Sequence, residues 1–227
     1  NGKDNRELRI IFPINIEQAL ASYEIPFGTA DYRKDEIDMT QWKTYANDSQ
    51  FFQYISNGKA ELPFREAINW SNVSDKIIGR HNENFGCLMA SDMTVHLFDD
   101  QTSNPVSYPM MQHVLLSTRH SQAWNPNYWF EQKGDHHYRM ALYFHGGNWR
   151  YRYRDAIAFN NPLIACMASS KTLKNGTPLV TSFLSVSPSN LIVTAMKQSE
   201  AGSGTVIRFI DAEGENCHAT IKFPNAI

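Results

Sequence analysis

The sequence lacks two features that would tie it to a membrane or to nucleic acid. It contains no apolar run of the roughly 20 residues that a membrane-spanning helix needs. It also has no block of basic residues, and its 21 Lys and Arg against 23 Asp and Glu give a formal charge of −2. This balance argues against duplex nucleic acid and anionic membrane surfaces as partners.

Cysteine is scarce, and the familiar catalytic motifs are missing. Three cysteines, Cys87, Cys166 and Cys217, are widely spaced and odd in number, so we predict free thiols and neither a disulfide framework nor a zinc pattern. The sequence has no Gly-x-Ser-x-Gly motif and no phosphate-binding glycine loop. The first eight residues are polar and do not begin with Met, from which we expect the chain to be part of a longer protein.

Alternation of apolar and polar residues is the main positive signal, and it predicts β-strands. Strands are predicted at residues 9–16, 22–28, 85–90, 94–98, 110–118 and 136–144. Residues 85–90 and 94–98 are predicted to pair as a hairpin around Ser91-Asp92. Residues 182–197, 204–214 and 219–223 predict a three-stranded antiparallel meander. Aromatic residues make up 12% of the chain, which suits the space between facing sheets.

Helical signals are few. One helix is predicted after Gly146-Gly147, with Asn148 as its N-cap and with Asn161-Pro162 ending it. A helical turn is predicted at residues 66–71, within a long polar loop at 29–75, and residues 163–167 are expected to be buried. The predicted fold is all-β, a large antiparallel sandwich with one short helix, over a single domain at 1–227. Residues 1–75 would supply strands and the loop, and 76–227 the main sandwich.

Four segments together resemble the C-terminal β domain of glycoside hydrolase family 38, the retaining α-mannosidases. They are Tyr23-Glu-Ile-Pro-Phe-Gly-Thr29, Phe85-Gly-Cys-Leu-Met-Ala-Ser-Asp92, His137-Tyr-Arg-Met-Ala-Leu-Tyr-Phe-His-Gly-Gly-Asn-Trp-Arg150 with Asn161-Pro-Leu163, and the C-terminal segment 182–223. The resemblance implies a super-sandwich like that of galactose mutarotases, packed beside a separate N-terminal catalytic domain. In the family, that domain holds zinc and an aspartate nucleophile that forms a covalent intermediate.

The family's zinc site needs a His-x-Asp pair, and none of the eight histidines is followed two residues later by Asp. We therefore expect no catalytic residue and no metal or other cofactor in this chain, and zinc in a catalytic domain outside it. The expected partners are that domain and an α-mannoside. A homo-oligomer is compatible with the sequence, which gives no sign of nucleic acid or membrane as a partner.

The substrate-binding candidates are Arg119, His120 and Trp124, at the end of the predicted strand 110–118. The resemblance places at this strand end an arginine that points toward the catalytic pocket. A guanidinium fork suits paired sugar hydroxyls, and an indole could stack on a sugar ring. A surface arginine beside core aromatics is the plainer interpretation of the same residues.

Another group, Asp92, His96, Asp99 and Asp100, could hold a metal by residue type, but alternation along a strand separates His96 from Asp99. Turn chemistry explains these carboxylates better.

Two further functions remain open from the sequence. One is an autonomous carbohydrate-binding module. The other is a mutarotase-like epimerase, which would need a histidine and a carboxylate converging in one groove.

Overall fold

A computed structural model of the chain describes residues 6–16, 19–36, 65–75, 85–120, 129–147, 149–167 and 182–223. About half of these residues lie in strands, and every described strand pairing is antiparallel. The described part of the chain holds one α-helix. The predicted all-β sandwich-like class with a single short helix is therefore confirmed.

The strands are β1 Arg6–Pro13, β2 Leu20–Ile25, β3 Gly28–Asp31, β4 Arg65–Glu66, β5 Trp70–Ser74, β6 Phe85–Ser91, β7 Val95–Leu97, β8 Met110–His120, β9 Trp129–Phe130, β10 Met140–Gly146, β11 Ser185–Ser187, β12 Leu191–Gln198, β13 Thr205–Asp211 and β14 Thr220–Lys222. A 3-10 helix at Trp149–Tyr151 precedes α1, Tyr153–Asn160. No helix in the described ranges has the length and hydropathy needed to cross a membrane.

The chain divides into two compact units. Unit 1 comprises Asn1–Ile25 and Ala30–Asn161, and unit 2 comprises Pro26–Thr29 and Pro162–Ile227. Strands from before and after residue 75 pair with one another in unit 1, as β5 does with β6 and β1 does with β8. The extent of the domain, 1–227, stays a prediction.

Unit 1 is built on two antiparallel sheets. Sheet A has the strand order β1-β8-β7-β4, with β9 paired to β8, and sheet B has the order β10-β6-β5-β2-β3. Their inward side chains form one buried cluster. Sheet B contributes Tyr23, Val73, Cys87 and Met89, while Phe98 and Met111 come from the β7–β8 side. Side chains that alternate along each strand thus fill the space between two facing sheets, as in a β-sandwich.

The opposite face of sheet B is covered by the helical segment. Trp70 of β5, 1% exposed, stacks on Trp149 of the 3-10 helix with ring centroids 5.1 Å apart. Trp149 in turn meets the edge of Tyr153, and Tyr153 and Ala156 are the buried residues of α1. The central strands β5 and β6 of sheet B are therefore buried on both faces, which explains why Leu88 and Ala90 of β6 are fully buried alongside Cys87 and Met89.

The helix differs from its prediction at the start and agrees at the end. It begins at Tyr153 with Arg152 as N-cap residue, and no side chain caps it. The predicted cap Asn148 lies outside the described residues, and the chain from Trp149 first forms a 3-10 turn. The predicted stop is confirmed, because α1 ends at Asn160, directly before Asn161-Pro162. Residues 163–167 were predicted to be buried, which is wrong, since Leu163 and Met167 are fully exposed.

Two predictions of local structure in unit 1 are wrong. Strands β6 and β7 form as predicted but do not pair as a hairpin, because β6 lies between β5 and β10 in sheet B while β7 pairs with β4 and β8 in sheet A. The predicted helical turn at 66–71 is instead the end of β4 and the start of β5.

Unit 2 contains two antiparallel ribbons. β12 pairs with β13, whereas β14 pairs with β11 and not with β13. The predicted meander at 182–223 is therefore wrong in its connectivity, although all its apolar runs form strands. The run at 182–197 splits in two because Pro188 and Asn190 lie in a turn between β11 and β12.

Candidate functional site

Two of the three predicted substrate-binding residues lie at the end of β8, the longest of the described strands. Arg119 and His120 are the last residues of β8 and pair through their backbones with Phe130 and Trp129 of β9. The side chains of Arg119 and His120, and all of Trp124, lie outside the described residues. The structure thus places the two backbone positions beside β9 and leaves the role of all three side chains a prediction.

Strand β8 extends past the short strand on one side of it. β7 pairs with β8 only at His113 and Gln112, while β1 follows β8 as far as Thr118. The last third of β8 therefore has β1 and β9 as its described partners. We call this end of β8, with β9 and the residues that follow it, the strand-end site.

Polar and aromatic groups surround the strand-end site. The Gln132 side-chain oxygen accepts a hydrogen bond from the Ser117 N–H at 2.8 Å, and the Tyr138 hydroxyl donates to the Leu115 carbonyl. His136 stacks on Tyr138 with an interplanar angle of 10°. Phe130 is 54% exposed. These contacts fix the segment after β9 against β8, and they leave an exposed aromatic ring beside the position of Arg119.

A second group of functional residue types lies inside unit 1, and we call it the histidine cluster: Ser91, Met93, His96 and His113. His96 of β7 and His113 of β8 are register partners, with ring centroids 3.8 Å apart. Ser91, His96 and His113 are each at most 1% exposed. Burial lowers the pKa of His96 to about 4, and burial together with the charge of His96 lowers the pKa of His113 to about 2.

The histidine cluster contains a serine–histidine contact of nucleophile–base type. His113 Nδ1 lies 3.1 Å from Ser91 Oγ, within the distance range of activated serines. The Met93 N–H also donates to Ser91 Oγ at 2.8 Å, and His96 Nε2 lies 3.0 Å from the Met93 carbonyl oxygen. Because all of these groups are sealed in the interior, a substrate does not reach them, and the contact joins β6 of sheet B to β8 of sheet A.

His145 on β10 is the third buried histidine. Its Nε2 lies 2.8 Å from the Asn72 side-chain oxygen, and Asn72 in turn donates to Ser74 Oγ at 3.2 Å. Gly86 leaves the room for this ring, since a Cβ at position 86 would lie 2.8 Å from His145 Nε2. Burial lowers the pKa of His145.

The hydrogen bonds described for His96, His113 and His145 go to a carbonyl, a hydroxyl and an amide. None of the three forms the histidine–carboxylate pair that an epimerase needs.

The carboxylates near His96 take part in separate contacts. Asp92 accepts the Arg139 N–H, Asp99 pairs with Arg33 at 3.1 Å, and Asp100 accepts the N–H groups of Thr102 and Val106. Those two backbone donors hold the pKa of Asp100 below its usual value. Among the described residues, no three His, Cys, Asp or Glu side chains are grouped to hold a metal ion.

A charged and aromatic network lies at one edge of unit 1, and we call it the guanidinium–tyrosine network: Tyr23, Tyr32, Arg33, Glu36, Arg65 and Asp99. The guanidinium groups of Arg33 and Arg65 each lie 5.2 Å from the centroid of the Tyr32 ring. Arg65 forms a bidentate pair with Glu36, which also accepts the Tyr23 hydroxyl at 2.9 Å.

The electrostatics of this network centre on Glu36. Burial would raise the pKa of Glu36, but hydrogen bonds from Arg65 and Tyr23 hold it below its usual value. Burial, reinforced by Glu36, raises the pKa of Tyr23 to about 12. The network is thus a set of satisfied ion pairs that holds the segment after β3 against β4. Arg65 and Glu36 are 29 positions apart in the sequence, so their pairing was not predictable from it.

Sequence reasoning missed the histidine cluster because its members come from three strands of two sheets and from the connection between β6 and β7. The signal that could have found it is alternation. His113 occupies the same face of β8 as the core residue Met111, and His96 shares its side of the chain with the buried Phe98.

Searched against models of known protein families, against curated proteins and against solved structures, the chain matches none. Its function is therefore argued from its own residues and geometry.

Proposed function

We propose that this chain is the C-terminal β-sandwich domain of a retaining α-mannosidase of the family 38 kind. In this role it supports a zinc-containing catalytic domain, and the strand-end site forms part of the wall of the substrate cleft. Hydrolysis of terminal α-mannosides is carried out by the whole enzyme. This domain supports the catalytic domain and helps to bind and position the substrate.

One observation carries the proposal. Three of the four segments that resemble the mannosidase domain contribute β2, β6 and β10, and all three strands belong to sheet B. These segments are far apart in the sequence, yet β6 pairs directly with β10 and shares β5 as a neighbour with β2. The resemblance therefore follows one continuous structural unit, which agrees with common descent of the sheet better than with chance similarity of short strands.

The third segment also continues from the sheet into its cover. After β10 the chain turns at Gly147, where φ is +89°, a conformation that glycine adopts readily. It then enters the 3-10 helix and α1, which pack on sheet B through Trp149 and Tyr153. In this segment Gly146 and Gly147 therefore end β10 at the edge of sheet B, and Trp149 and Arg150 begin its helical cover.

The described polar interior favours a supporting role over a catalytic one. The buried histidines are held by neutral partners, and the ion pairs of the guanidinium–tyrosine network are mutually satisfied. Of the predicted functional residues, Arg119 and His120 lie at a strand end beside an exposed aromatic ring. A sugar contact from this domain is therefore proposed at the strand-end site.

The variant Arg119→Ala, made in the full-length enzyme, tests the role of the strand-end site. A guanidinium bonded to sugar hydroxyls contributes about 1.5–3 kcal/mol, so we expect kcat/KM for a nitrophenyl α-mannoside to fall about 10- to 100-fold. Lys34→Ala is the control, because Lys34 is a cation of unit 1 outside the strand-end site, is 69% exposed and pairs with Asp31. An Arg119→Ala enzyme with unchanged kcat/KM would remove the strand-end site from the proposal.

A further inference from the structure

The histidine cluster combines features that a purely structural core does not need. Two imidazoles lie in ring contact at 3.8 Å in a site that is at most 1% exposed. A well-packed interior is normally filled by apolar side chains, and buried histidines carry a cost whenever they are charged. Two such groups in contact make the cost of charging either one depend on the other.

In the described part of the chain, no carboxylate is bonded to either ring of the pair. From β6 the pair faces the Ser91 hydroxyl, and from β1 it faces Ile10, the register partner of His113. From β4 it faces Arg65, the register partner of His96, whose guanidinium is already bonded to Glu36. From β2, Tyr23 lies on the interior face, and its hydroxyl donates to Glu36. Among the described residues, the ionisable groups on the elements around the pair are thus Arg65, its carboxylate partner Glu36, the neutral Tyr23 phenol and the Cys87 thiol, whose pKa burial raises to about 11.

The hydrogen bonds of the pair also fit neutral rings. Each ring uses one nitrogen, His96 Nε2 toward the Met93 carbonyl and His113 Nδ1 toward Ser91 Oγ. The other two nitrogens, His96 Nδ1 and His113 Nε2, are buried and have no hydrogen-bond partner among the described residues. An imidazolium needs acceptors for both of its N–H groups, so protonation would add a buried donor that no group in the described ranges accepts.

We propose that the His96–His113 pair is an acid-operated latch, which holds sheets A and B of unit 1 together while both rings are neutral and releases them when the rings take up protons. The latch acts where His96 and His113 on sheet A meet Ser91 on sheet B. This inference concerns unit 1 alone and is independent of the proposed mannosidase function.

The direction of the pH effect follows from linkage. A free histidine titrates near pH 6.5, whereas burial lowers the pKa of His96 to about 4 and that of His113 to about 2. Below pH 6.5 the unfolded chain therefore binds more protons than the folded one. Stability is fully present above about pH 6.5 and is lost as the pH falls toward 4. Each histidine that is protonated only in the unfolded state raises the unfolded-to-folded ratio about tenfold for every pH unit of acidification. Two such histidines raise it about a hundredfold per pH unit.

The test compares chemical unfolding of three forms of the chain between pH 4.5 and 8. In the double variant His96→Gln/His113→Gln, neither side chain titrates. We expect its unfolded-to-folded ratio to rise about a hundredfold less than that of the wild type between pH 5.5 and 4.5. The control His136→Gln/His137→Gln changes two exposed histidines and should keep the wild-type pH dependence. Equal pH dependence of the wild type and the His96/His113 variant would overturn the proposal.

A measurement on the wild type covers the case in which the double variant does not fold. Imidazole nitrogen signals in NMR spectra distinguish neutral from protonated histidine. At pH 5, we expect His96 and His113 to be neutral in the folded protein, and their protonation should coincide with loss of the folded signals. Protonated signals from His96 and His113 in the folded protein at pH 5 would overturn the latch.

Discussion

Replacing Trp70 with alanine should destabilise unit 1 by about 3–5 kcal/mol, the usual cost of removing a large aromatic side chain from a core. Trp70 is 1% exposed and stacks on Trp149 at 5.1 Å. Its loss would leave a cavity between sheet B and the helical segment and would remove the contact that holds Trp149. Since a domain of this kind has only about 5–15 kcal/mol of total stability, the effect should be large in urea unfolding.

Tyr151→Ala serves as the control for Trp70→Ala. Tyr151 belongs to the same 3-10 helix as Trp149, the stacking partner of Trp70, but is 72% exposed. Its removal should therefore change the free energy of unfolding by less than about 0.5 kcal/mol. The comparison separates packing of the helical cover on sheet B from a general effect of losing an aromatic ring. Equal free energies of unfolding for the wild type and Trp70→Ala would show that the cover does not pack on sheet B as described.

Replacing Arg65 with methionine should cost about 2 kcal/mol, because it leaves the Glu36 carboxylate in a partly buried site without its cation. Arg65 and Glu36 have side chains only 19% and 16% exposed, so water screens their attraction weakly. Methionine keeps most of the aliphatic volume of arginine, and the loss should therefore reflect charge and hydrogen bonding more than packing.

Arg33→Met is a closely matched control, because Arg33 lies over the same Tyr32 ring at the same 5.2 Å. Its side chain is 63% exposed, and its pair with Asp99 belongs to the surface class that contributes about 0–1 kcal/mol. Adding Glu36→Gln to Arg65→Met should recover part of the lost stability, since the unpaired charge is then removed. Urea unfolding of the wild type and these three variants is the measurement, and equal losses for Arg65→Met and Arg33→Met would contradict the assignment of Arg65 as the interior member.

Alternation predicted the strands well and their partners poorly. The β6 and β7 segments are separated by only three residues, which in sequence favours a hairpin, yet the chain crosses there from sheet B to sheet A. Period-2 patterning shows which residues face a core, but it carries no information on which strand lies alongside. The same limit explains the C-terminal segment, where three apolar runs became four strands in two ribbons.

Burial was predicted wrongly for residues 163–167, where apolar composition was the only signal. Residues 163–167 are apolar and follow the helix directly, but in the structure Leu163 and Met167 are fully exposed. By contrast, the end of the helix was predictable, because Asn161-Pro162 acts through the local backbone and needs no knowledge of tertiary contacts. Local backbone chemistry therefore determines where this helix ends, whereas tertiary packing determines which residues are exposed and which strands pair.

In the candidate site too, the strands were predictable from the sequence and the contacts between strands were not. The strand that carries Arg119 and His120 was predictable from its apolar run, and its pairing with β9 was not. The histidine cluster depends on a contact between two sheets, so His96 and Ser91 could be assigned to strands and turns without any sign that His113 joins them. Contacts across a β-sandwich depend on strand register and on how the two sheets pack. Neither can be predicted from the types of individual residues.

The central claim is that this chain supports an α-mannosidase catalytic domain and does no chemistry itself. Its most direct test is hydrolysis of a nitrophenyl α-mannoside, with zinc added, by residues 1–227 alone and by the entire product of the gene. We expect turnover by the entire product, which should carry a β/α barrel with the His-x-Asp pair, and none by residues 1–227. Turnover by residues 1–227 alone, or its absence in the entire product, would contradict the account.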